Sequence, residues 1–483
     1  MQVQSMHFKA RAGAALGNAT LQANLRKFSS AGFTALRAKA VAEFGPELFE
    51  TLRSEGAAIR DRALADLDAW IERFEAEAVR RGAQVLYAET RDEVCDLVLE
   101  ICRRHGVRKA IKSKSMLSEE AGVNDALAAA GIAPIETDLG EYIIQLAGEP
   151  PSHIIAPALH KSKDEVAQLF ERHHRAPRKD DIARMTREAR EVLRGHFISA
   201  DLGISGGNFL IAETGSGVIV TNEGNGRMVT TLPRVHVCIT GIEKVIPTLE
   251  DFSTLLRLLT RSATGQPISN YVSLFTGARA QGDRDGPEHM YFVLVDAGRT
   301  SLVGGDMQEM LRCIRCGACM NHCPVYRAVG GHSYGWVYPG PMGSVLTPAY
   351  LGLENALDLP QAATLCGACS VVCPVKIPLP ELLRKLREKQ VERGLRPRRE
   401  MLGLALWSWM AQRPRLYALA TAIAVRFLRI LGGRNGMISR LPFGGEWTRG
   451  RFLPAPRSGR TFRALYAARA RRVPQRRAIT KLL

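Results

Sequence analysis

Across residues 61–78 (DRALADLDAWIERFEAEA) apolar side chains recur at the i, i+3, i+4 spacing of an amphipathic helix, and residues 1–80 contain few breakers. This pattern predicts an N-terminal helical region. After Gly82 the period changes. Short β-branched runs (AQVLYAE, KAIKSKS, IAPIETD) alternate with helical segments at 91–105 and in SEEAGVNDALAAAG. Such alternation predicts βαβ units and a mainly parallel sheet. Further strand candidates follow in HFISADLGISGGNFLIAETG, SGVIVTN, VHVCITGIEKVI and HMYFVLVDAG, with a helix at 249–262, so residues 81–304 read as one α/β domain.

Composition narrows the class. At 46% apolar and 24% charged residues over 483, the chain is neither disordered, collagenous nor a small disulfide scaffold. The longest uncharged apolar runs, 401–411 and 416–425, are separated by Arg413 and Pro414. Each falls short of the roughly 20 residues that span a bilayer. The N-terminus lacks the apolar core of a secretory signal, which predicts a cytoplasmic protein. No acid precedes Glu43, a feature of organelle transit peptides, but a basic helical arm explains it more simply.

The net charge of +18 is concentrated at one end. Residues 384–483 hold 25 Lys and Arg against four acids, a net of +21, leaving −3 for the first 383. A tail of this kind, residues 396–483, suits an acidic partner or the inner face of an anionic membrane, where the protein would be peripheral. Nucleic-acid binding fits less well, because the tail shows no recognition helix or zinc module.

The chemistry lies in residues 305–395, which contain seven of the ten cysteines. Cys313-x2-Cys316-x2-Cys319-x3-Cys323-Pro324 is followed by Cys366-x2-Cys369-x3-Cys373-Pro374. This is the two-cluster ferredoxin pattern, in which the last Cys of each motif serves the other cluster. Cluster one would take Cys313, Cys316, Cys319 and Cys373, and cluster two would take Cys323, Cys366 and Cys369. The position that would complete cluster two is Ala363. Cluster two is therefore a [3Fe-4S] centre, a [4Fe-4S] cube with a non-Cys ligand or open iron, or a cube completed by another residue or subunit. Zinc fits poorly, since seven thiolates do not divide into tetrahedral sets. Cys95, Cys102 and Cys238 read as core residues.

With those motifs stand KSKSMLSEE (112–120), ETDLGEYIIQL (136–146), PSHIIAPALHK (151–161), GGHSYGWVYPGPMGSVLTP (330–348) and LCGACSVVCPVKI (365–377). The chain thereby resembles the lactate utilization protein B family over almost its whole length. The resemblance implies an α/β LUD domain similar to ribose-phosphate isomerases and CoA-transferases, followed by an α-helical ferredoxin-type domain. It implies two iron–sulfur clusters, expected to be [4Fe-4S], and an electron-transfer role in oxidising L-lactate to pyruvate. Its implied partners are lactate utilization proteins A and C. Another hydroxyacid such as glycolate as donor, or a redox-sensing or nucleic-acid-binding role, are the alternatives.

Within the LUD region, Lys112, Lys114 and Ser115 could grip a phosphate or carboxylate, although capping by Ser118 explains much of the same pattern. Glu136, Asp138 and Glu141 lie where a strand meets a helix, the crevice in which open α/β sheets bind ligands, and helix capping is the equal alternative for them. The Gly-rich stretches 203–209 and 213–226 match no nucleotide fingerprint. His153, His160 and His236 read as structural.

Overall fold

The structure is a computed structural model that describes residues 3–442, 444–448 and 451–472. The chain divides into two units, Met1–Arg393 and Gly394–Leu483.

The first unit begins with five helices, α1 (Phe8–Gly17), α2 (Ala19–Ala31), α3 (Phe33–Phe44), α4 (Pro46–Ala65) and α5 (Leu67–Arg80). Proline at the first position of α4 loses no hydrogen bond that a helix would make. The periodic stretch 61–78 is two helices broken at Asp66. These helices are not a free arm. Ser5 Oγ donates to Tyr334 O at 3.0 Å, and the Arg11 guanidinium donates to His332 O at 2.7 and 2.9 Å. Helix α4 lies against Leu249–Ala263 so closely that a Cβ on Gly56 would stand 2.4 Å from a Leu258 methyl.

Ten strands follow in chain order: β1 (Ala83–Ala88), β2 (Lys109–Lys112), β3 (Ala133–Glu136), β4 (Leu202–Ser205), β5 (Phe209–Ile211), β6 (Ser216–Thr221), β7 (Val235–Gly241), β8 (Val245–Ile246), β9 (Tyr271–Phe275) and β10 (His289–Val295). Six form a wholly parallel sheet in the order β1-β10-β7-β4-β2-β3. The remaining four form a mixed sheet in the order β8-β5-β6-β9. Strands β7 and β10 are sheathed on both faces, which explains their near-continuous apolar sequences. Val235, Val237 and Ile239 pack with Tyr291 and Val293 on one side, while Cys238 packs with Met290 and Phe292 on the other.

Two strand expectations change. HFIS, at the start of the second strand set, lies at the end of the helix Ile182–Ser199, because Met185, Ala189, Leu193 and Phe197 fall four apart and bury together. Strand β9 was not foreseen, since its half-exposed run YVSLF sits on a sheet edge. Cys102 and Cys238 are buried in the core and Cys95 packs against it, with burial pushing the Cys102 and Cys238 thiols up to about 11 and about 12.

His236 on β7 is fully buried, 2.8 Å from Ser205 Oγ, and burial pushes its imidazole down to about 3. An unfolded histidine titrates near 6.5, so between pH 6.5 and 3 the unfolded chain binds more protons than the folded one. The stability His236 protects is thus present above pH 6.5 and lost on acidification. His236→Gln is expected to remove about 1.4 kcal/mol per pH unit from that slope, read from urea unfolding at pH 7, 6 and 5. An unchanged slope would show that this histidine is not held neutral.

The second unit contains the helices Arg398–Ala411 and Pro414–Leu431, neither with a buried residue. Leu402, Leu406, Trp407, Ile423 and Ile430 are each more than half exposed. Ile438 and Ala455 are the buried apolar residues among the described part of this unit. Among the described residues no helix is long and apolar enough to cross a membrane.

Candidate metal centre and adjoining cavity

The two cysteine motifs follow the same backbone path. In the first, Arg315 and Gly317 adopt left-handed φ angles of 57° and 74° on either side of Cys316, and Gly317 opens the helix Ala318–Asn321. In the second, Leu365 and Gly367 take 55° and 81° around Cys366, and Gly367 opens Ala368–Val372. At the second left-handed position of each motif a glycine, Gly317 or Gly367, takes this conformation at no steric cost, whereas Arg315 and Leu365 hold it with a side chain. The path matches Cys316 to Cys366, Cys319 to Cys369 and Cys323 to Cys373. Cys313 thereby corresponds to Ala363, whose carbonyl accepts from Arg387 Nη2 at 2.8 Å.

Cys313, Cys316, Cys319 and Cys373 line one small cavity. Burial, then repulsion from Cys373 and Cys313, pushes the Cys316 thiol up, and Cys319 rises through burial and the charges of Cys316, Cys313 and Cys373. Cys323, Cys366 and Cys369 form a second set. Burial and Cys323 push Cys369 up to about 12, and Cys366 lies at the surface, where hydrogen bonds lower its thiol. Among the described residues no three His, Cys, Asp or Glu side chains converge on a single metal ion. Buried, mutually repelling thiols facing a shared space fit a polynuclear centre, whose positive irons would take up the charge of their deprotonated sulfurs.

The surroundings favour that charge. Backbone N–H groups point at sulfur from Arg315 to Cys313 at 3.4 Å, Tyr326 to Cys323 at 3.5 Å and Ile377 to Cys373 at 3.4 Å. Arg53 donates twice to Cys373 O at 2.8 and 2.9 Å, Arg37 donates to Val372 O at 3.1 Å and Lys244 Nζ to Cys313 O at 2.9 Å.

Behind Cys313 lies a buried charge network that sequence reasoning missed. Arg299 grips Glu120 with two bonds, Nη1 to Oε1 at 3.2 Å and Nη2 to Oε2 at 2.8 Å, and its Nε lies 3.0 Å from Glu243 Oε2. Tyr338 donates to the same Glu120 carboxylate, and Arg60 reaches Leu311 O at 3.0 Å. Burial raises the Glu243 carboxyl, but Arg299, Lys244, Arg315 and Arg60 together hold it at about 2. Burial and Arg315 push the Lys244 ammonium down to about 7. The only sequence signal was the charged pair Glu243–Lys244 within an otherwise apolar strand run.

The six LUD candidates separate into two groups. Lys112 is buried and ion-paired, its Nζ 2.7 Å from Glu136 Oε1, 3.1 Å from Ser118 Oγ and in contact with Glu119. Glu136 also accepts from Asn124 at 2.8 Å, so this pair holds β2 and β3 to their helices. Glu141 is buried behind it, its carboxyl pushed up to about 8 by burial. Lys114, Ser115 and Asp138, by contrast, line a cavity of about 260 Å³ outside the carboxyl ends of β2, β4 and β7. Two of these also cap helices. Ser115, rather than Ser118, is the N-cap of Met116–Ala121, accepting from Ser118 N at 3.2 Å, and Asp138 accepts from Gly140 N at 3.0 Å and Glu141 N at 3.2 Å. The cap falls one turn earlier because the chain enters the helix from extended backbone at Ser115.

The three histidines have structural partners. His153 Nδ1 accepts from Ile155 N and Ala156 N at 2.9 and 3.1 Å, leaving Nε2–H to donate to Asn321 Oδ1 at 2.8 Å. His160 bridges Ser152 and Glu149 at 2.8 and 2.7 Å. His236 pairs with Ser205.

Comparison with known proteins matches residues 71–295 to the LUD domain, 309–377 to the 4Fe-4S dicluster domain and 383–471 to the C-terminal region of lactate utilisation protein B. Lactate utilization protein B of Bacillus licheniformis is 40% identical over 463 residues, covering 95% of this chain and 96% of that one. Its namesake in Geobacillus thermodenitrificans is 43% identical over 415 residues, 85% and 87% of the two chains. The uncharacterized electron transport protein YkgF of Escherichia coli is 40% identical over 435 residues, 89% and 90%.

Proposed function

The chain belongs to the lactate utilization protein B family, and from that premise we propose that it is the iron–sulfur electron-transfer subunit of a multi-protein system oxidising L-lactate to pyruvate. The observation that carries this reading is the pairing of a cavity walled by Cys313, Cys316, Cys319 and Cys373 with a second set at Cys323, Cys366 and Cys369. The first four would hold one [4Fe-4S] cluster and the other three a second, either a [3Fe-4S] centre or a [4Fe-4S] cube with an open iron or a ligand from outside the two motifs. When bound, such a pair supplies one-electron transfer at potentials tuned by burial and hydrogen bonds to sulfur.

The chain's own groups prepare both places. Arg37, Arg53 and Lys244 direct positive charge at the carbonyls beside the first set, offsetting the cost of burying negative sulfur. The second set meets solvent through Cys366, with Leu365 and Val371 exposed around it, a surface on which a redox partner can dock. Lactate utilization proteins A and C are the proposed partners. A strain lacking this protein is expected to lose growth on L-lactate while keeping growth on pyruvate; equal growth on both would overturn the reading.

The basic second unit would dock the subunit against an anionic surface, an acidic partner or the headgroups of the inner membrane face, through its exposed Leu, Trp and Arg side chains. Truncation after Arg393 is expected to leave iron content unchanged and to weaken co-purification with partners or membranes. Unchanged co-purification would assign the tail another purpose.

A further inference from the structure

The cavity of about 260 Å³ and the cysteine cavity share a wall, since Ile154, Ile314 and Arg315 line both. Arg315 belongs to the first cysteine motif, yet its side chain reaches the LUD strands. Its guanidinium stacks 4.8 Å from the Tyr338 ring, makes a weak contact to Met342 Sδ at 3.3 Å and stands 3.6 Å from Glu243 Oε1. None of these is the bidentate carboxylate contact that a buried guanidinium favours. Lys244 lines the same space and donates to Cys313 O, and a carboxylate bound beside it would favour its charged ammonium over the neutral amine.

The remaining lining mixes apolar and polar groups and includes the acids Asp138 and Glu223, so a ligand carboxylate would have to face the cations Lys244 and Arg315. Ile219, Ile239 and Leu259 supply apolar wall, and the Oδ1 of buried Asn225 has no hydrogen-bond partner. A buried acceptor left unpaired is costly, and a ligand hydroxyl would satisfy it. The position, beyond the carboxyl ends of parallel strands, is where open α/β sheets take ligands.

We propose that this cavity binds a small 2-hydroxycarboxylate, its carboxylate held by Lys244 and Arg315 at the wall shared with the cysteine cavity and its hydroxyl donating to Asn225. The assignment rests on the electron-transfer reading and deepens it, because it puts a binding site for the substrate class within one residue layer of the first cysteine set.

The test uses the full chain, anaerobically reconstituted with iron and sulfide and kept reduced by dithionite so that no net oxidation occurs. L-Lactate, pyruvate and inorganic phosphate are titrated separately by calorimetry, with iron counted in each preparation. L-Lactate is expected to bind, Lys244→Gln to weaken it about tenfold or more in the iron-replete fraction, since Lys244 also donates to Cys313 O, and Asn225→Leu, at unchanged iron content, to weaken L-lactate more than pyruvate. No lactate binding up to about 10 mM by an iron-replete protein overturns the assignment, as does binding indifferent to Lys244→Gln or a site that takes phosphate instead. A wild-type chain that takes up no iron overturns the electron-transfer reading and this assignment with it, and the iron count separates that outcome from failure of the cavity alone.

Discussion

Replacing Cys316 with serine is expected to remove about half of the chain's iron, abolish growth on L-lactate and leave the α/β domain folded. A serine hydroxyl does not ionise near neutral pH and is a hard ligand, so it is a poor substitute for a thiolate at iron. Cys316 is buried among Cys313, Cys319 and Cys373, so the substitution takes one of the four thiols from that cavity. The second set draws on Cys323, Cys366 and Cys369, which explains a half rather than a total loss. The three hydrophobic clusters around the parallel sheet contain no residue of either motif, so the domain keeps its core. Iron and sulfide per chain, circular dichroism and growth on lactate check the three parts. Normal growth on lactate would remove the first set from the pathway.

The largest loss of stability is expected from Arg299→Leu. Arg299 and Glu120 are both buried, and Arg299 also neutralises Glu243, which lies beside Lys244 and Arg315 between the LUD strands and the cysteine region. Removing the guanidinium strands the Glu120 carboxylate in a medium that cannot solvate it and strips Glu243 of one of its cations. Breaking one side of a buried pair costs about 3–5 kcal/mol, a large share of the stability of a folded domain. The readout is the urea midpoint of the full chain. Glu120→Leu combined with Arg299→Leu should recover part of the loss, because a matched apolar pair buries no unpaired charge. An unfolding free energy for Arg299→Leu within about 0.5 kcal/mol of wild type would show that water or rearrangement replaces the pair.

How much the sequence disclosed depended on whether the cause was local. The helix Arg91–His105 has the bounds expected because both stops are written beside it, Thr90 accepting from Glu93 N and Gly106 in the left-handed conformation. The cysteine spacing was equally legible, since the loop that each motif forms is set by residues within the motif. Locality also limited what could be read. Lys112 and Glu136 looked like ligand-binding groups on their own strands, but β2 and β3 pair in register at these two residues, which turns them toward each other as a buried ion pair. Lys114 and Asp138, from the same two loops, reach the cavity instead. Lys244 and Arg315, the cations at its shared wall, lie 71 positions apart and were invisible as a pair until the fold brought the segment after β7 against the first cysteine motif.

The most direct test of the electron-transfer account is a low-temperature paramagnetic resonance spectrum of the anaerobically assembled protein with lactate utilization proteins A and C, recorded before and after L-lactate. The account predicts that lactate alone produces the signals of reduced iron–sulfur clusters, and that Cys316→Ser removes the signal belonging to the first set. Signals that arise only with a strong chemical reductant, with lactate inert, would contradict a place for this chain on the path from lactate.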